Sequence, residues 1–167
     1  MPIEMQHEPT VVERAEQAYV GITEPVTMTT FAKVADRFPE VFGHVAARGS
    51  QPAAAPFFRY WVIDMMRELV VEAGVPVAAP IDGAGDIRAG VLPAGRYLTV
   101  THTGHPDELI DVTTAFLRWA DEHDLAFAVE PSPEGDRWAC RLELLLTNPA
   151  EVPEMKDWQT QLLFKLA

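Results

Sequence analysis

The sequence predicts an α+β fold made of two strand–helix–strand–strand repeats, antiparallel sheets with a groove between them, and three observations lead there. Apolar residues recur at helical spacing in only two long stretches, 27–49 and 105–124. Short runs rich in Val, Ile, Tyr and Phe surround them, as strands require. The order strand, helix, strand, strand occurs twice, about 10–80 and about 86–167, within a single domain spanning 1–167.

The elements follow in order. "TVVERAEQAYVGI" reads as one strand, with β-branched residues at both ends. In "TMTTFAKVADRFPEVFGHVAARG" Phe31, Val34, Ala35 and Phe38 share one helical face, as do Phe38, Val41, Phe42 and Val45. Pro39 divides that helix or kinks it, and Gly49 stops it. "FFRYWVIDM" and "RELVVEAGVPV" are a strand pair whose joint, near Met65 and Met66, carries no strong turn signal. The Gly- and Asp-rich loop "APIDGAGD" separates the repeats.

"IRAGVLPAGRYLTVTHTG" opens the second repeat with one or two strands. The helix after it has a proline suited to its first turn, Pro106, and acids at the positive end of its dipole, Asp107 and Glu108. Leu109, Val112 or Thr113, Phe116, Leu117 and Ala120 form its buried stripe. "LAFAVEP", "RWACRLELLLT" and "QTQLLFKLA" complete the repeat as strands. Two sheets, each covered by a helix on one face, would leave their other faces to form the groove.

Composition narrows the function. The chain has 25 acids against 13 bases, a net charge of −12, and no basic cluster, so direct nucleic-acid binding is not expected. A single cysteine, Cys140, excludes an internal disulfide. The start "MPIEMQHEPT" has no basic and apolar leader pattern, and no apolar run approaches the ~20 residues of a membrane span, which points to a cytoplasmic protein.

Glu143 stands alone among Leu142, Leu144, Leu145 and Leu146. Alternation sends Trp138, Cys140, Leu142 and Leu144 toward the presumed helix and Arg141, Glu143 and Leu145 to the groove. The same rule sends Tyr19 and Tyr97 to the groove, with Val20, Ile22, Leu98 and Val100 inward. In "FFRYWVID" both faces are apolar, so either Tyr60 or Trp61 lines the groove. The candidate ligand-binding residues are therefore Glu143, Tyr60, Trp61, Tyr19, Tyr97, Leu145 and Arg141. Rings around one carboxylate suit aromatic, lipophilic and often cationic small molecules. Taken singly, each strand tyrosine is more often a packing residue, and Glu143 is as often a surface or ion-paired acid. The combination carries the reading.

Other chemistries have weaker support. His102, His105 and His123 are spaced for a helix-entry loop rather than a metal site, Cys140 has no evident base, and "GAG" at 83–85 lacks a phosphate-cradling pattern. No metal and no cofactor are expected.

Several stretches together resemble the GyrI-like small-molecule-binding family: "AYVGI", "PFFRY", "EAGVPV", "LPAGRYLTVTHTG", "DELIDVTTAFLRWADEH" and "RLELLLTNP". The resemblance implies two such repeats around a groove and a ligand-binding role for Glu143. In members fused to MerR-type DNA-binding regions the groove senses lipophilic cationic drugs. With about ten residues before the first strand, a stand-alone drug- or toxin-binding module is expected here. The chain departs from the family pattern at Leu145, where an aromatic is usual, at His105-Pro106 in place of proline-tyrosine, and at Asn148 in place of aspartate. Two alternatives follow from the resemblance. One is hydrolysis of cyclopropane-containing DNA-alkylating natural products, with Glu143 as general base and Tyr60 as hydrogen-bond donor. The other is a gyrase-type protein-inhibitor role, with no partner identified.

Overall fold

The computed structural model describes residues 3–167. Its ten strands form one antiparallel sheet. In chain order they are β1 (Thr10–Arg14), β2 (Gln17–Val26), β3 (Phe57–Ile63), β4 (Leu69–Pro76), β5 (Arg88–Leu92), β6 (Gly95–Thr103), β7 (Val129–Ser132), β8 (Gly135–Trp138), β9 (Arg141–Leu145) and β10 (Gln159–Lys165). The helices are a single turn, α1 (Ala32–Ala35), then α2 (Phe38–Ala47) and α3 (Leu109–Glu122).

The α+β class and the repeated order both stand. Repeat one is β2, α1–α2, β3, β4, and repeat two is β6, α3, β9, β10. The expected pair of separate sheets is in fact one. β3 and β9 lie side by side, pairing Phe57 with Leu144, Phe58 with Glu143 and Arg59 with Leu142, so the repeats share a seam. The expected first strand is two, β1 and β2, and they end up at opposite sides of the strand order β1-β6-β10-β9-β3-β4-β2-β5.

That break dictates the shape. Only Ala15 and Glu16 separate β1 from β2, and only Pro93 and Ala94 separate β5 from β6. A strand reaches at most about 3.3–3.6 Å per residue, so two residues cannot span the six strand spacings that separate each pair in that order. The sheet must curl until its ends approach, which gives a half-barrel with the helices outside. Its inside is filled by Tyr19, Phe57, Leu92, Tyr97, Cys140, Leu142, Leu144 and Leu163.

Outside, α3 buries Val112, Phe116 and Ala120 against Leu98, Val100, Leu162 and Phe164. On the other repeat α2 packs Val41 and Val45 on Val20, Ile22 and Val75, while Val34 of α1 packs with Phe58, Val71 and Ala73. Pro39 lies in the first turn of α2, where its missing N–H costs nothing. Gly49 takes φ +70° just past the end of that helix. The β3–β4 turn lacks glycine and is held by Asp64, whose carboxylate accepts from the Met66 N–H at 3.0 Å and Arg67 Nε at 2.7 Å. Among the described residues no helix is long and apolar enough to cross a membrane.

Candidate functional site

Glu143 occupies the seam. Across one side of β9 it pairs with Phe58, which belongs to the cluster under α1 and α2, and across the other with Leu162, which packs under α3. The carboxylate therefore stands on the outer face, in the strip between the two helical layers. Tyr60 donates to Glu143 Oε1 at 2.8 Å, and both side chains are half-buried. Phe31, just ahead of α1, stacks on Tyr60 at 6.2 Å between ring centres and meets Phe58 edge-on at 4.9 Å. Leu145 packs, like Tyr60, against the cluster that holds Phe58.

Arg141, two residues before Glu143, points to the same face. Its guanidinium carbon lies 5.7 Å from the Tyr60 ring centre and 4.6 Å from those of both Trp138 and Phe164. Glu143 forms no ion pair with any described residue, and Arg141 acts on it through space. Burial raises the Glu143 carboxyl above its ordinary value of 4.5, against the lowering effects of Tyr60 and Arg141. Burial likewise lifts the Tyr60 phenol and lowers the Arg141 guanidinium.

The sign of that shift can be measured. A carboxyl raised by folding contributes stability below 4.5 and loses it as pH climbs through the folded value. Glu143→Gln removes the loss, so the variant should gain on wild type as pH rises above 4.5. Urea unfolding of both proteins at about pH 5 and pH 8 checks this, and a difference constant with pH would contradict it.

The structure brings together Glu143, Tyr60, Arg141 and Leu145, and separates the other candidates from them. Tyr19 and Tyr97 point into the half-barrel and are 2% and 1% exposed. The Tyr97 hydroxyl donates to the Pro93 carbonyl at 2.6 Å. Trp61 also leaves Glu143: along β3 Phe57, Arg59 and Trp61 face the barrel and Phe58 and Tyr60 face the helices. The expected sidedness of β9 is thus inverted. Cys140, Leu142 and Leu144 face the filled barrel, and Glu143 shares the face of the helices. Trp138 does pack with the α3 cluster, because Ala139 and Cys140 break the run between β8 and β9 and change its phase.

Inside the barrel lies a second polar cluster that the sequence reading missed. Tyr19 donates to Glu72 Oε1 at 2.6 Å, Trp61 Nε1 donates to the same oxygen at 3.0 Å, and Arg59 donates to the Tyr19 hydroxyl at 3.0 Å. Glu72 and Arg59 are 4% and 5% exposed. The available signal was "LVVEAGV", a lone acid in an apolar run like that around Glu143. Cys140 is fully buried, and burial raises its thiol pKa, which disfavours a nucleophilic thiolate. Among the described residues no group of three acids, histidines or cysteines could hold a metal.

Two hollows lie away from Glu143. One, of about 10 Å³, lies between Arg14, Gln17, Leu92 and Tyr97, and the other is an open depression of about 340 Å³ beside Thr99 and Gln161. Over the strip itself sits Phe31.

Comparison with curated protein sequences gives no match. Among solved structures, EcmrR in its DNA complex superposes with TM-score 0.74 at 17% identity, covering 95% of this chain. The chain spans 57% of EcmrR in that complex, and it spans 99% of the isolated EcmrR C-terminal domain (TM-score 0.73, 16% identity, 98% of this chain). SAV2435 bound to tetraphenylphosphonium gives 0.59 at 11% identity, covering 96% of this chain and 94% of that one. A hydrolase from Listeria innocua gives 0.62 at 8% identity, covering 98% and 93%. At such identities the likeness is one of fold. The family model for the GyrI-like small molecule binding domain matches residues 7–135, which takes in repeat one and the β6–α3 half of repeat two and stops before Glu143. With that match over most of its length, and the doubled strand–helix–strand–strand order sharing one sheet, the chain belongs to the GyrI-like small molecule binding domain family.

Proposed function

We propose that the strip between the helical layers binds lipophilic, aromatic small molecules that present a positive charge or a hydrogen-bond donor to Glu143, in a drug- or toxin-binding role. One observation carries the reading: among the described residues a half-buried carboxylate has a single hydrogen bond, from Tyr60, and no ion pair. An ionised carboxylate can accept about four hydrogen bonds, so most of its capacity is unused at a place where desolvation makes each bond count. Tyr60 supplies a ring beside it. Phe31 now covers that ring, so a ligand enters by displacing Phe31 and taking over its stacking. The fold likeness to SAV2435 bound to tetraphenylphosphonium supports the same class of ligand.

The test is a titration of tetraphenylphosphonium into wild type and Glu143→Gln, followed by backbone amide shifts. The variant is expected to lose about 1–3 kcal/mol of binding, the scale of a hydrogen-bonded charge removed from a desolvated site. Unchanged affinity in a folded variant, or shifts away from β3 and β9, would remove Glu143 from the site.

A second reading, hydrolysis of strained cyclopropane-bearing alkylators, is favoured by the Tyr60–Glu143 pair itself. A carboxylate made more basic by burial suits a general base on water, and a phenol 2.8 Å away could turn to a developing oxyanion. Product formation by wild type that disappears in Glu143→Gln would select it over simple binding.

A further inference from the structure

Arg141 is the second charge on the strip, and the binding role proposed above leaves it unused. We propose that Arg141 makes the strip selective for net-neutral aromatic carboxamides, whose N–H donates to Glu143 and whose carbonyl accepts from the guanidinium, over permanent cations. This inference rests on the reading of the strip as the binding site.

The first argument is occupancy. Tyr60 is the half-buried ring beside Glu143 that a bound cation would use, and the Arg141 guanidinium already lies 5.7 Å from it, held 4.6 Å from the buried rings of Trp138 and Phe164. The strip carries a built-in cation, and a second one would meet a tyrosine ring already shared with a guanidinium and like-charge repulsion.

The second argument is unspent donors. The Arg141 guanidinium makes no hydrogen bond to a described residue, and its Nε is shut away from solvent without a partner. Arg59, also beside aromatic rings and also with an unpartnered buried Nε, nevertheless places its two terminal nitrogens on Tyr19, Val91 and Ala139. A guanidinium has five N–H donors in a fixed fork, and leaving a buried one unpaired is unfavourable.

The third argument is spacing. Arg141 and Glu143 stand two residues apart on one strand face, about 6.6–6.8 Å along it, and are not paired with each other. A group entering between them meets donors on one side and acceptors on the other. A neutral amide satisfies both. A permanent cation satisfies Glu143 alone and leaves the fork of Arg141 empty.

The experiment titrates benzanilide, a neutral aromatic amide, and tetraphenylphosphonium into the full chain, following amide shifts on β3 and β9. Wild type is expected to bind benzanilide at a Kd roughly tenfold below that of tetraphenylphosphonium, the scale of one charge-assisted hydrogen bond. Arg141→Met keeps an apolar stem without the charge, and should weaken benzanilide roughly tenfold while strengthening the phosphonium. Arg141→Lys keeps the charge without the fork, and should weaken benzanilide without strengthening the phosphonium. The wild-type preference needs no variant to fold. If tetraphenylphosphonium binds the strip of wild type as tightly as benzanilide, and Arg141→Met leaves the ratio unchanged, selectivity by Arg141 is overturned and the site stands. If neither probe shifts β3 or β9, or Glu143→Gln alters neither affinity, the site and the inference fall together.

Discussion

Methionine in place of Arg59 is expected to lower the unfolding free energy by about 3–5 kcal/mol at neutral pH, because it leaves a buried acid without its cation. Arg59 touches Glu72 only through Tyr19, whose hydroxyl accepts from the guanidinium at 3.0 Å and donates to the carboxylate at 2.6 Å. Removing Arg59 also strips a donor from the carbonyls of Val91 and Ala139. Burial already raises the Glu72 carboxyl above 4.5, with Tyr19, Trp61 and Arg59 opposing the rise. Without Arg59 the folded value climbs further. The stability that such a group contributes is present below 4.5 and lost as pH passes the folded value, so the deficit of the variant should widen with pH. Urea unfolding at about pH 5 and pH 8 reads this out. A small deficit, independent of pH, would mean that Glu72 is already protonated in the native protein. Adding Glu72→Gln to Arg59→Met should recover part of the loss, since the orphaned charge is then gone.

The two glutamates show what the sequence could and could not say. "LVVEAGV" and "LELLL" carry the same signal, one acid inside an apolar run, yet Glu72 lies within the barrel and Glu143 outside it. Alternation did assign neighbours correctly: Tyr19 opposes Val20, and Tyr97 opposes Leu98. It could not say which face is open, because both are apolar. Helices cover one face and the curl of the sheet closes the other. The curl itself was hidden in two-residue links, Ala15-Glu16, read as continuous strand, and Pro93-Ala94, where one strand or two were left open. Alternation put Tyr60 and Trp61 on opposite faces, and the choice between them waited only on knowing that Phe58 packs under the helices and Phe57 in the barrel. Phe31 fits the helical stripe as a core residue, and only three dimensions place it on Tyr60.

If the two faces serve separate purposes, a deep cut on one should leave the other working, and Phe57→Ala provides that cut. Phe57 is fully buried in the barrel, edge-on to Tyr19 at 5.1 Å, and so close to Gly74 that an added Cβ would come within 2.5 Å of its ring. Truncation leaves a cavity that rigid strands on either side cannot close, at an expected cost of about 3–5 kcal/mol. Its neighbour Phe58 points the opposite way, toward Phe31 and the strip. Affinity for tetraphenylphosphonium, measured under conditions where the variant is folded, should therefore stay within about twofold of wild type, since no contact on the strip is removed. Phe57→Leu, a milder cavity, keeps the comparison available if alanine is too severe. Affinity that falls in step with stability would show that the barrel interior sets the geometry of Glu143 and Tyr60, and that the seam between β3 and β9 couples the two faces.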